Sequence, residues 1–119
     1  MSRSQGGLMI QHMMGGIHVI EFMDTNVLDQ MRIEQIRAEL DALVEKAGQP
    51  KFVISFANVK HISSAVLGVM MSLDKKIKGK KGELRIAAVS PTIKQVFQLT
   101  KLDKMIKMYE KTDDALVKF

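Results

Sequence analysis

The spacing of apolar and polar residues divides the chain into short, alternating segments. Leu8 to Met13 and Ile17 to Met23 are apolar-rich runs joined across Met14-Gly15-Gly16. Glycine supplies the positive φ that a tight turn needs, so the pair predicts a β-hairpin. Asp24 to Gln30 is a polar connection, and from Met31 a helical period takes over. Ile33, Ile36, Leu40, Leu43, Val44 and Ala47 recur at three- and four-residue steps, with Arg32, Glu34, Arg37, Glu39 and Asp41 outside the stripe. Gly48 and Pro50 stop that helix. Phe52, Val53, Ile54 and Phe56 then form an apolar run suited to a strand covered on both faces. A polar loop, Ala57 to Ile62, leads to Ser63 and Ser64, either of which can cap the next helix. Val66, Leu67, Val69, Met70, Met71 and Leu73 leave that helix little polar face.

The second half repeats the alternation. Two glycines end the helix within Lys75-Lys76-Ile77-Lys78-Gly79-Lys80-Lys81-Gly82. Glu83 to Ala88 reads as a strand, and Ser90-Pro91 opens a helix with serine as cap and proline where its missing N–H is harmless. Ile93, Val96, Phe97 and Leu99 or Thr100 supply its buried face. Lys104 to Tyr109 is a last strand, and Thr112 to Val117 a closing helix capped by Thr112. Strand, helix, strand, helix, strand predicts a parallel sheet with right-handed crossovers, preceded by the hairpin. The expectation is a single α/β domain over residues 8 to 119, a mixed sheet of about five strands covered by about four helices. Residues 1 to 7, MSRSQGG, are expected to be a flexible terminus. At 119 residues the chain is long enough for one core and too short for two.

Composition narrows the function. No apolar run is long enough to span a membrane and the start lacks a secretory pattern, so a cytoplasmic protein is expected. The absence of cysteine excludes disulfides and thiolate metal sites. The net charge of +5 includes five lysines between Lys75 and Lys81, which suggest nucleic acid, anionic lipid or an acidic partner. Lysines at a helix C-terminus also complement its dipole. With 5% aromatic residues and one tyrosine there is no stacking platform, so the solvated helix end is preferred and nucleic acid disfavoured. His12 and His18 flank one turn without a third metal ligand nearby and read as solvent-facing strand positions. His61 precedes Ser63 by two residues and reads as a loop-edge packing residue rather than a base. No zinc-protease, phosphate-loop or nucleophile-elbow motif is present, and no catalytic residue, metal or cofactor is assigned. A small hydrolase using Ser64 ranks last among the readings. Met70 and Met71, where exposed, would make an adaptable contact face.

Chemistry is staged at Ser63 and Ser64, two adjacent hydroxyls at the positive end of a buried helix. Free N–H groups and the helix dipole would stabilise an anion there, including a phosphate on either serine. The segment from Phe52, F-V-I-S-F-A-N-V-K-H-I-S-S-A-V-L-G-V-M, resembles the STAS family signature V-V-L-D-L-S-x-V-x-F-I-D-S-S-G-L-G-V-L. Thr25-Asn26-Val27-Leu28-Asp29 is similar to that family's T-G-E-L-D. Val89-Ser90-Pro91 with Val96-Phe97, and Thr100-Lys101-Leu102-Asp103, are similar to its S-P-x-V-x-x-x-F and T-G-L-D runs. Ser55, Ser63 and Val66 stand where the family has two aspartates and a glycine. The resemblance implies a mixed sheet with packed helices and an anti-sigma factor antagonist that binds a serine kinase acting as anti-sigma factor, or a related signalling protein. It implies Ser64 as phosphoacceptor, with Ser63 second, and a partner surface rimmed by Asn26, Asp29, Asn58, His61, Ser63, Ser64 and Leu67. An unswitched scaffold subunit of a signalling assembly is the alternative, and a binder using Lys75 to Lys81 is another. The oligomeric state, a homodimer included, is left open.

Overall fold

The computed structural model describes residues 9–22, 26–27 and 30–117. The expected flexible terminus and Asp29 lie outside the described residues. Strands β1 (Met9–Met14) and β2 (Ile17–Phe22) form the hairpin, turning through Gly15 and Gly16, both at positive φ. After β3 (Asn26–Val27) come α1 (Gln30–Lys46), β4 (Lys51–Ser55), β5 (His61–Ile62) and α2 (Ser64–Gly79). Then follow β6 (Glu83–Ala87), α3 (Pro91–Leu99), a 3-10 turn (Leu102–Lys104), β7 (Lys107–Tyr109) and α4 (Thr112–Ala115). The main sheet has the order β1-β2-β4-β6-β7, antiparallel only at β1–β2 and parallel elsewhere. This is the mixed α/β arrangement that the alternation of segments predicts.

Strands β2, β4 and β6 alternate their side chains between two cores. Ile20, Phe22, Phe52, Ile54, Phe56, Leu84 and Ile86 meet α1, α2 and α3 on one face. Ile17, Val19, Val53 and Ala87 meet Ala115 and the flank of Tyr109 on the other. Strand β4 thus buries both faces, as its unbroken apolar run requires. Ile33, Ile36, Leu40 and Val44 of α1 are buried as their spacing dictates.

Several boundaries differ from expectation. The segment from Lys104 is a strand only over its last three residues, because Leu102 buries itself in a 3-10 turn first. Helix α4 is capped at Lys111 instead of Thr112 and ends at Ala115. Leu99 is 83% exposed and Thr100 is exposed, so the buried face of α3 rests on Ile93 and Phe97. The reversal after α2 is made by Lys81 at φ 62 and not by a glycine. Lys101, in the position of the glycine of T-G-L-D, likewise adopts φ 64. Gly82 is needed for a different reason: a Cβ there would lie 1.9 Å from the Pro50 carbonyl oxygen. That carbonyl accepts from Glu83 N at 2.9 Å, so neither side can withdraw without losing the start of the β4–β6 ladder.

His18 is half-buried rather than solvent-facing, stacked on Phe52 at 4.6 Å between ring centroids and 18° between planes. The register pairs it with Met13 and pairs His12 with Val19, so the two histidines are not cross-strand partners. Burial pushes the His18 pKa below 6.5.

Gly82→Ala is expected to destabilise the fold by about 3 kcal/mol, since backbone stands where the methyl must go; a urea melt checks this. For His18 the unfolded chain takes up the proton first as pH falls. Its contribution is therefore complete above the unfolded value and is lost as pH drops from there through the lower folded value. Urea midpoints should fall between neutral pH and about pH 5, and fall less in His18→Phe, which keeps the stack without the charge.

Candidate functional site

The site is assembled at the C-terminal end of β4. Ser55 is buried there and its Oγ accepts from Ala57 N at 3.3 Å, which turns the chain out of the sheet. Phe56 donates its N–H to the Ala87 carbonyl at 3.0 Å, and its ring meets Phe22 and Phe97 edge-on at 5.2 and 5.6 Å. Val59 N then bonds the Phe56 carbonyl at 3.0 Å, with the Val59 side chain buried. Ala57, Asn58 and Lys60 are left exposed around that anchor.

The next two residues leave the expected loop to form β5, which pairs in parallel with β3. Asn26 stands opposite His61 and Val27 opposite Ile62, so the segment before α1 lies alongside the approach to α2. His61 is exposed and does not pack at the loop edge as its position suggested, because β5 bonds through its backbone.

Ser63 is the N-cap of α2, at φ −98 and ψ 167, and its carbonyl accepts from Val66 N at 3.1 Å. Its hydroxyl makes no capping bond and is enclosed without a hydrogen-bond partner. Ser90 at the head of α3 shows the ordinary arrangement, with its Oγ accepting from Ile93 N at 3.3 Å. Ser64, the first residue of α2, is exposed. From it an exposed stripe runs through Gly68, Met71 and Lys75, at steps of four, three and four residues. A Cβ at Gly68 would touch nothing within 4 Å, so the stripe is open as well as low. From Phe56 to Leu73 the chain has no carboxylate, while it has Lys60 and His61. The head of α2 therefore combines an exposed hydroxyl with the positive end of a helix dipole, on a segment that carries no carboxylate of its own.

Of the residues the sequence nominates, Asn58, His61 and Ser64 are exposed and Ser63 is half-buried. Asn26 is placed by its backbone alone, and Asp29 lies outside the described residues. Leu67 is 8% exposed and packs in the core, since the second turn of α2 aims it at the sheet. Met70 is likewise buried, leaving Met71 to the surface.

Most of the lysine cluster is engaged inside the molecule. Lys76 pairs with Asp41 of α1 at 2.9 Å. Lys78 reaches Asp74 at 3.0 Å and the Met105 carbonyl at 2.9 Å. Lys80 donates to the carbonyls of Val44 and Glu45, both at 2.9 Å, and so caps the C-terminus of α1. Sequence reasoning missed Asp74, which is 1% exposed with Oδ1 unpartnered. The signal was present as an i, i+4 pair with Lys78. It also missed Arg85, 3% exposed on the back face of the sheet and bonded to the carbonyls of Ala115 and Val117. Among the described residues no group of three histidine or acidic side chains is placed to hold a metal. No described helix is long and apolar enough to cross a membrane.

Because the Ser63 hydroxyl has no partner, Ser63→Ala should change stability by less than about 0.5 kcal/mol. Ser90→Ala, which breaks a real cap, should cost about 1 kcal/mol. Paired denaturant melts test the contrast.

The model for the STAS domain matches residues 16–115. Over 89 residues the chain is 26% identical to an anti-sigma F factor antagonist of Paenibacillus polymyxa, covering 75% of this chain and 76% of the relative. Over 74 residues it is 32% identical to BtrV of Bordetella bronchiseptica, provisionally named an anti-sigma factor antagonist. That match takes in 62% of this chain and 63% of the relative's length. Among solved structures, an anti-sigma factor antagonist (STAS) domain protein from Planctomyces limnophilus superposes with TM-score 0.84 at 23% identity, covering 92% and 95% of the two chains. The Bacillus cell fate determinant SpoIIAA in its phosphorylated form gives TM-score 0.70 at 21% identity, covering 91% and 96%.

Proposed function

The chain belongs to the STAS domain family, and from that premise we propose that it is a regulatory, non-enzymatic interaction module of the anti-sigma factor antagonist kind. It binds a serine kinase of the anti-sigma class, or a related signalling protein, in the cytoplasm. The observation that carries this reading is Ser64, an exposed hydroxyl on the first residue of α2 at the head of an open stripe. The names of the relatives support it. Ser64 is the phosphoacceptor in this reading, with Ser63 second because its hydroxyl is enclosed. Asn26, Asp29, Asn58, His61 and Ser63 rim the partner surface, and Leu67 backs it from the core.

The switch is electrostatic. A phosphoryl group adds roughly −1.5 to −2 charge at neutral pH. Here it would arrive on a segment, residues 56 to 73, that holds Lys60 and no carboxylate of its own, and would reverse that segment's charge. The free N–H groups at the helix head would accept that charge within the protein.

A second reading, an unswitched scaffold subunit, is favoured by Ser55 and Ser63 standing at two aspartate positions of the family signature. The reading as a nucleic-acid binder loses ground because Lys76, Lys78 and Lys80 have partners within the fold.

Incubation with purified anti-sigma-class serine kinases and ATP, followed by mass spectrometric mapping, separates the first two. Phosphate on Ser64 that is absent in Ser64→Ala and persists in Ser63→Ala is the expected result, with partner affinity falling at least about tenfold on modification. Partner binding without any phosphate would leave the scaffold.

A further inference from the structure

The opposite pole of the sheet, where the parallel strands begin, holds a polar cleft of about 240 Å³ lined by Gln49, Lys51, Lys81, Gly82 and Glu83. We propose that this cleft is a binding site for a compact phosphate-type dianion, held between the ammonium groups of Lys51 and Lys81.

Two lysines line the cleft, and neither makes an ion pair among the described residues. Their neighbours Lys76, Lys78 and Lys80 all have partners inside the fold. Lys51 and Lys81 are therefore uncommitted charges that line one concavity, whereas Lys75, also outside any ion pair among the described residues, lies on the exposed stripe of α2. The single carboxylate in the lining, Glu83, is already matched: its Oε2 accepts from Arg85 Nε at 2.9 Å and lies 3.9 Å from Lys107 Nζ. With Glu83 matched by Arg85, the two lysines are left as the net positive charge of the lining, which favours a dianion.

The walls select its chemistry. No aromatic ring lines the cleft, so it offers no platform for a nucleobase. Three backbone donors of the lining are spent, since Lys81 N bonds the Lys78 carbonyl, Gly82 N that of Ile77 and Glu83 N that of Pro50. Gln49 Nε2 is given to the Lys81 carbonyl at 2.8 Å, which steadies the rim. Ammonium groups are point charges suited to a compact oxyanion rather than to a planar carboxylate that needs two parallel donors. Inorganic phosphate, or the phosphate of a small phosphorylated metabolite, fits that description.

The backbone of Lys81 makes the test clean. At φ 62 the position favours glycine, so Lys81→Gly removes the ammonium while relieving the turn. The full chain, labelled with nitrogen-15, is titrated with inorganic phosphate and with glycerol phosphate against sodium chloride of equal ionic strength. Saturable shifts centred on the amides of Gln49, Lys51, Lys81, Gly82 and Glu83 are expected. Lys51→Gln and Lys81→Gly should each weaken binding about two- to fivefold, with the melting temperature of Lys81→Gly unchanged or raised. Stronger binding of glycerol phosphate than of phosphate marks a metabolite as the source; the reverse marks the free ion. Shifts that do not saturate, that spread evenly over the lysines, or that centre on the head of α2 would overturn the proposal. So would unchanged affinity in Lys51→Gln, whose ordinary strand position keeps the test valid if Lys81→Gly unfolds.

Discussion

From Phe52 onward strand β4 has no face to water, and the rest of the fold follows from that constraint. A parallel strand buried on both sides needs helices on one side, a second cover on the other and a ladder partner at each edge. Three helices supply the first, the closing turn and the flank of Tyr109 the second, and β2 and β6 the third. The two ends of β4 then become the places where the chain must leave a crowded interior. At its start the Pro50 carbonyl presses against Gly82, and at its finish Phe56 is locked between Phe22 and Phe97. The polar cleft and the serine-bearing helix head lie at these two exits, where backbone comes to the surface from a rigid support.

Most of the architecture was legible because burial imposes a period. The stripe of α1, the unbroken run of β4 and the serine-proline start of α3 each state their environment in their residue types. What escaped was set by contacts distant in sequence. Leu99 breaks its apparent stripe because α3 ends beside solvent. His61 and Ile62 form a strand only because Asn26 and Val27 come to meet them. The left-handed turns at Lys81 and Lys101 lack glycine, so no residue type announces them.

The serine site was legible as a location and less so as a geometry. Two hydroxyls ahead of an apolar helix mark a helix head in any sequence. Nothing in the letters says that Ser63 keeps its hydroxyl enclosed while Ser64 presents its own, since that depends on where Ile62 leaves the short strand. The lysine cluster shows the opposite case. Its charge was obvious, yet its meaning depended on Asp41, Asp74 and the last carbonyls of α1, which only the tertiary structure brings within reach.

The buried guanidinium of Arg85 gives the back face a property the front lacks. A four-residue helix has too few internal hydrogen bonds to persist alone, and α4 stays on the sheet with its last carbonyls received by that one cation. The closing turn is thus fastened by a side chain that belongs to β6, so the cover over the back face takes its persistence from the sheet and not from its own length.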